Sequence, residues 1–176
     1  HRQCLSIWSP NQGFYDLLKM VGMEASDLGI EIDIVLESEI GRSQKEALVT
    51  LAKETVKFTL ERHDRDPFKD EVSVLFTCDD FIADLNKQYR GENGPTDVLS
   101  FPMLESACDF EGDGFEELDI PGIPNVLGDI VISLDTAARQ AEANGHALRK
   151  ELCLLLIHGT LHLLGYDHDD EGEKKH

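Results

Sequence analysis

Residues 152–168 read LCLLLIHGTLHLLGYDH, and this stretch decides how the rest of the chain is interpreted. Its first six residues are almost entirely apolar, which predicts a helix buried on most sides. His158 and His162 are four residues apart, so they point from the same side of that helix, one turn above the other. Gly165 can end the helix in a left-handed turn, which leaves His168 free to approach the same point in space.

Three neutral imidazoles with a fourth position left open form the ligand set of a catalytic transition-metal site, and zinc is the usual occupant. The alternative is three unrelated histidines near a helix end. The H-x-x-x-H spacing, with a glycine and a third histidine behind it, favours the metal site. We therefore predict one bound Zn²⁺, or another divalent transition metal, held by His158, His162 and His168.

The residue after the first histidine separates this pattern from that of the zinc peptidases. Those enzymes carry H-E-x-x-H, in which the glutamate takes a proton from the attacking water. Gly159 occupies that position and has no side chain to accept a proton. A peptidase-like hydrolase is therefore the weakest functional alternative, and the glycine can instead serve the close approach of a neighbouring strand or of the substrate backbone.

Three further segments complete a pattern. Residues 85–91 read LNKQYRG, residues 95–102 read PTDVLSFP and residues 127–133 read LGDIVIS. Together with the histidine stretch, and in this order, they resemble the YbeY family of metal-dependent endoribonucleases of ribosomal RNA maturation. The resemblance extends over about residues 32–168.

The resemblance implies a function as well as a fold. It implies an endoribonuclease of single-stranded RNA that matures the 3′ end of small-subunit ribosomal RNA and serves ribosome quality control. Its partners would be ribosomal RNA precursors and small-subunit components, with no DNA and no membrane. Attack by water and attack by the RNA's own 2′-hydroxyl are both compatible with the pattern. A non-catalytic ribosome-assembly factor stabilised by its metal is the main alternative.

Arg90 matches the family's arginine that lies across the cleft from the metal, which implies a catalytic role. A guanidinium can hold a phosphate through two hydrogen bonds and offset charge that develops during the reaction. The alternative is an ordinary arginine at a helix C-terminus. Asp97 and Asp129 are candidates to accept an N–H from a metal-bound histidine. Asp97 could equally cap the turn that follows residues 95–96.

Periodicity predicts an α/β (α+β) fold with a mixed four-stranded sheet covered by helices, and the three-histidine site at the end of the last helix. One domain covers residues 30–176, preceded by a partly ordered arm at residues 1–29 that includes a short helix near residues 14–21. Residues 105–122 form an acidic loop. The predicted strands span residues 31–37, 71–77, 97–101 and 126–133. The predicted helices span residues 43–61, 79–89, 135–144 and 147–164, and Ser43 and Asp79 are expected to cap the first two.

The net charge of −19 is unusual for a protein that binds RNA, because phosphate contacts normally come from Lys and Arg. Much of the acid is concentrated in residues 105–119 and in the tail at residues 167–173. Basic residues instead occur near the motifs, among them Lys87, Arg90 and Arg139. We therefore expect RNA binding to be local, weak and strongly dependent on salt.

The four cysteines lie far apart and form no C-x-x-C pair, which favours a reducing compartment. No apolar run approaches the length of a membrane span. Since the chain begins at His1 and ends soon after His168, we expect a processed product or a piece of a longer protein. The segment at residues 136–146 looks most similar to plant members of the family. The expected location is the chloroplast stroma, with a bacterial-type cytoplasm as the alternative.

Overall fold

The computed structural model describes residues 30–34, 40–103 and 124–166. The predicted N-terminal arm and its short helix, the acidic loop and His168 lie outside these ranges. The described elements, in chain order, are β1 (Ile30–Ile34), α1 (Arg42–Arg62), β2 (Asp70–Thr77), α2 (Asp79–Tyr89), β3 (Val98–Pro102), β4 (Asn125–Ser133), α3 (Leu134–Ala143) and α4 (Leu148–Leu163). The predicted α+β class is confirmed.

The described strands form one mixed sheet in the order β1-β2-β4-β3. β1 runs parallel to β2 and β2 parallel to β4, whereas β3 runs antiparallel to β4. β4 thus lies between two other strands, as its apolar sequence predicted, and β3 pairs only with β4 among the described strands. Within the described ranges no helix combines the length and the apolar character that a membrane span requires.

Successive side chains of each strand point to opposite faces of the sheet, so the hydrophobic core consists of one cluster on each face. Ile130 and Ile132 of β4 face a large cluster built with α1, α3 and α4, whereas Val131 faces a smaller cluster built with α2. α4 is covered on most sides by α1, α3, β3 and β4. Leu152, Leu156 and Leu163 are almost inaccessible to solvent, which confirms that this helix is buried on most sides, although Leu154 is exposed.

Two helix starts differ from the sequence prediction. The N-cap of α1 is Gly41, whose N–H donates to Gln44 Oε1 at 3.1 Å, and Ser43 lies inside the helix. The N-cap of α2 is Cys78, so Asp79 is the first helical residue. The Asp79 carboxylate is engaged by the start of α3, where it accepts hydrogen bonds from Ser133 at 2.6 Å and from Thr136 at 2.7 Å. A tertiary contact therefore replaces the local cap.

A bulge in β4 explains the glycine of the LGDI segment. The register of β4 against β2 shifts between Glu71 and Val72, which leaves Leu127 as an extra residue beside Gly128. Gly128 has φ +140°, and a Cβ placed there would collide with the Phe101 carbonyl oxygen of β3. Only glycine permits this backbone geometry and this close approach.

Gly159 lets α4 lie directly on the sheet. A Cβ at this position would come within 2.9 Å of Ile130 Cγ2 and 3.2 Å of Ser100 Oγ. The expectation that this glycine serves the approach of a strand is confirmed. The glutamate of a peptidase helix would have to point into packed β3 and β4 side chains here, and this argues further against peptidase chemistry.

We predict that Gly159→Glu destabilises the fold. Overpacking a core costs about 1–3 kcal/mol, and burying a carboxylate adds to that cost. The free energy of unfolding in urea should therefore fall by at least about 2 kcal/mol. Leu154→Glu is the matched control, because it adds the same side chain to the solvent face of α4, where Leu154 is 49% exposed. It should cost about 1 kcal/mol or less. Equal losses in the two variants would contradict this role of Gly159.

Candidate active site

One polar cleft of about 740 Å³ contains most of the residues that the sequence singled out. This volume lies within the range of about 300–1,000 Å³ that is usual for ligand sites. The cleft is bounded by the end of α2, the loop before β3, β3 itself and the C-terminal half of α4. Its lining residues are Tyr89, Arg90, Thr96, Asp97, Val98, Ser100, Phe101, Pro102, His158, His162, Gly165 and Tyr166.

His158 and His162 converge on this cleft from one flank of α4. Their Nε2 atoms are 3.0 Å apart, and their rings lie nearly perpendicular, with centroids 4.3 Å apart. Two ligands of a tetrahedral zinc ion, each about 2.0–2.1 Å from the metal, have nitrogen atoms about 3.3 Å apart. The two imidazoles therefore fit a shared metal ion.

The third predicted ligand, His168, lies outside the described residues. Among the described residues there is no group of three His, Cys, Asp or Glu side chains that could hold a metal ion. The turn that would return His168 to the cleft does begin as predicted, because Gly165 follows the helix with φ +82°. The ligand role of all three histidines remains a prediction.

Arg90 lines the cleft from the end of α2, whereas the histidines line it from α4. It is the C-cap of α2, where its N–H donates to Asn86 O at 2.9 Å. The buried Asn86 side chain in turn donates to Gly94 O at 3.0 Å and so ties the following loop to the helix. Arg90 thus lies at a helix C-terminus, as the alternative of an ordinary helix-end arginine requires. It also lines the same cleft as both histidines.

Asp97 caps the turn before β3 and contacts α3. Its carboxylate accepts hydrogen bonds from Val98 N at 2.8 Å, Thr96 Oγ1 at 3.1 Å and Gln140 Nε2 at 3.0 Å. The turn-capping alternative is therefore confirmed for Asp97. Asp129 is buried in β4, and its role as a histidine acceptor stays a prediction.

The electrostatics of Asp97 follow from these contacts. Burial alone would raise its pKa, but the hydrogen bonds from Gln140, Val98 and Thr96 outweigh burial and hold the pKa below its ordinary value of 3.8. Elsewhere in the cleft, burial raises the pKa of the Tyr89 phenol. Tyr89 packs edge-on against Phe101, with ring centroids 5.3 Å apart.

Sequence reasoning missed the aromatic part of the cleft. Tyr89, Phe101 and Tyr166 all line it, although none was predicted as a site residue. Tyr89 and Tyr166 each stand next to or near a predicted functional residue, and this proximity is the signal that could have identified them. Ser100 also lines the cleft, with its hydroxyl close to Gly159.

In the part of the chain that the structure describes, an α+β domain presents two histidines of α4 to a polar cleft that also contains an arginine. The model of the family described as endoribonuclease YbeY matches residues 33–176. The chain belongs to the YbeY family.

Curated relatives agree with this assignment. Endoribonuclease YbeY of Shouchella clausii is 51% identical over 105 residues, which is 60% of this chain and 64% of that protein. Endoribonuclease YbeY of Halalkalibacterium halodurans is 38% identical over 150 residues, which is 84% of this chain and 89% of that protein. The chain thus spans 64% of the length of the Shouchella relative, a little under two thirds.

A solution structure of a Thermotoga maritima protein is 29% identical, with 83% of this chain and 79% of that chain covered and a TM-score of 0.48. The Shouchella and Halalkalibacterium relatives are bacterial, so they do not support the plant-type assignment, which stays a prediction.

We predict that Asp97→Asn reduces the amount by which the free energy of unfolding falls at acid pH. Because the folded pKa of Asp97 is lowered, its ionised form stabilises the fold above pH 3.8, and this contribution is lost as pH falls through the lowered folded pKa. The wild type should therefore lose more free energy of unfolding between about pH 5 and pH 2 than Asp97→Asn does. The control Asp84→Asn removes an exposed carboxylate of α2 and should follow the wild type. Superimposable profiles of wild type and Asp97→Asn would contradict the inference.

Proposed function

We propose that this chain is a metal-dependent endoribonuclease that cleaves single-stranded RNA. The observation that carries the proposal is the convergence of two histidine Nε2 atoms, 3.0 Å apart, in the same cleft as Arg90. Membership of the YbeY family supports the reaction class. A cleft that is open to solvent suits an unpaired strand, whose bases are accessible, better than a duplex.

His158, His162 and His168 would hold one divalent transition metal, with zinc preferred. Neutral imidazole suits zinc and its first-row neighbours, and three protein ligands leave a coordination position open. When bound, such an ion supplies Lewis-acid polarisation of the scissile phosphate. The 3.0 Å separation of the His158 and His162 Nε2 atoms supports this role, since two ligands of one tetrahedral zinc ion lie about 3.3 Å apart.

The chain's own residues would bind and orient the phosphodiester. Arg90 can donate two parallel hydrogen bonds to phosphate oxygens and offset their charge, which a lysine cannot do with the same geometry. Asp97 is already engaged by Gln140, Val98 and Thr96, so its role is to hold the loop between Arg90 and β3 in place. Within the described residues no carboxylate occupies the helix position that serves as base in zinc peptidases, since that position is Gly159.

The substrate proposed is precursor ribosomal RNA, with maturation of the small-subunit 3′ end and ribosome quality control as the processes served. Components of the small subunit are the proposed partners. A chain with a net charge of −19 meets general repulsion from RNA. Partners that present the unpaired 3′ strand to the cleft would reduce that penalty.

The proposed location is the chloroplast stroma, with the bacterial-type cytoplasm as its alternative. Fractionation of cells that express the natural gene, with the protein detected by an antibody, distinguishes the two. Recovery of the protein outside plastids would overturn the stromal proposal.

We predict that His158→Ala and His162→Ala each reduce metal affinity severely. Loss of a ligand should cost at least the roughly 10- to 100-fold that is typical when a ligand's hydrogen-bond partner is lost. Metal content of purified protein, measured by mass spectrometry, is the readout. His146→Gln is the control, because His146 contacts Glu151 at 2.9 Å at the start of α4. Full metal occupancy in the double histidine variant would overturn the site.

Chelation separates the proposed enzyme from a metal-stabilised assembly factor. A catalytic ion should be removable with loss of RNA cleavage and retention of fold, whereas a structural ion should hold the fold together. Circular dichroism and cleavage of a ribosomal RNA 3′ fragment are measured before and after chelation. Unfolding on chelation, together with no cleavage by the metal-loaded protein, would replace the enzyme with the assembly factor.

We predict that Arg90→Glu abolishes RNA cleavage and leaves metal content and fold intact. Hydrogen bonds to charged groups contribute about 1.5–3 kcal/mol, so loss of the guanidinium alone should lower kcat/KM by about 10- to 160-fold. The introduced carboxylate adds repulsion of the phosphate. Arg90→Lys should retain part of the activity. Arg42→Glu makes the same charge change on a side chain that is 93% exposed on α1 and should leave cleavage unchanged. Wild-type cleavage by Arg90→Glu would contradict the proposed role.

A further inference from the structure

Tyr166 is an exposed aromatic residue at the rim of the cleft. It follows Gly165, whose positive φ turns the chain away from the end of α4, and it lines the same cleft as Arg90, His158 and His162. Just over half of its surface, 54%, is open to solvent. A tyrosine combines an apolar ring with a polar hydroxyl, and for this reason the residue is enriched at interfaces, where one end is apolar and the other wet.

The ring is held in place by the end of another helix. His63, the C-cap of α1, lies with its Nδ1 atom 3.2 Å from the Tyr166 hydroxyl, and the two ring centroids are 4.9 Å apart at an interplanar angle of 60°. This contact joins the end of α1 to the end of α4. It fixes the phenol while half of the side chain remains accessible, so the ring is oriented before any ligand arrives.

We propose that Tyr166 is a stacking platform for one unpaired nucleobase next to the phosphate bound at Arg90, and that His63 is its positioning residue. The proposal rests on the proposed function and adds a base-binding subsite to it. Single-stranded nucleic acids are commonly bound by aromatic side chains, on which any base can stack. The subsite would therefore tolerate different sequences while it selects against duplex, whose bases are already stacked.

The charge of the chain makes such a subsite useful. Affinity for RNA that comes from Lys and Arg falls steeply with salt, because it depends on counterion release. The net charge of −19 opposes a large electrostatic contribution of this kind. A neutral phenol adds affinity without charge, so the part of the binding that depends on Tyr166 should be the same at low and high salt.

The test uses short single-stranded RNAs in which one base is replaced by the fluorescent analogue 2-aminopurine at successive positions. Stacking on Tyr166 should quench the fluorescence at one position in the wild type. Tyr166→Ala should remove that quenching and weaken binding about 5- to 100-fold, a loss that does not change with salt. Tyr166→Phe keeps the ring and should retain most of the affinity, and His63→Ala should give an intermediate loss. Phe68→Ala is the matched control, since Phe68 is 64% exposed outside the cleft.

An abasic RNA distinguishes stacking from a structural effect. Removal of the base at the quenched position should weaken binding to the wild type and to Phe68→Ala, but not weaken binding to Tyr166→Ala any further. Equal abasic losses in wild type and Tyr166→Ala, or no quenching at any position, would overturn the subsite. Binding is measured separately from cleavage. Quenching without cleavage would therefore contradict the proposed enzyme alone, and cleavage without quenching would contradict the subsite alone.

Discussion

The close packing of α4 on the sheet is the constraint on which the rest of the structure depends. At Gly159 the helix lies so near Ile130 and Ser100 that a methyl group would not fit without a shift of those side chains. Since residues 158 and 162 lie on the flank beside this contact, the depth of the helix sets how far their imidazoles reach toward β3. A helix raised by one larger side chain would keep its hydrophobic burial in part, but it would move both histidines away from β3 and from Arg90.

The sheet forms the other wall of the cleft, and here too a glycine permits a close approach between two elements. The bulge at Gly128 allows β4 and β3 to come together where Phe101 O would otherwise meet a side chain. β3 therefore lies against β4, and Ser100 and Phe101 both line the cleft. Two glycines, one on the helix and one on the strand, thus bring three elements closer than ordinary residues allow. Both glycines belong to the segments by which the chain resembles its family. Those segments therefore specify how closely the helix and the strands pack, as well as the polar residues of the cleft.

Local patterns were sufficient to predict most elements and part of the site. The apolar run at residues 152–157 and the histidine spacing predicted α4 and its two convergent side chains, because both depend only on helical periodicity. Partners distant in sequence could not be predicted in the same way. Asp79 was expected to cap its own helix but contacts Ser133 and Thr136, and Asp97 accepts from Gln140. The contact between His63 and Tyr166 depends on how α1 and α4 pack, which no local pattern specifies.

The position of β4 also has a consequence for how the protein comes to be folded. β2 and β3 precede β4 in the chain, yet in the described sheet they are joined only through it. During synthesis β3 and one edge of β2 therefore stay without these partners until β4, which ends at residue 133, has left the ribosome. Pairing between strands so far apart in sequence is slow, and an open strand edge invites association with other chains. The nascent chain is thus most vulnerable just before β4 inserts, and its cleft can be completed only after α4 has followed.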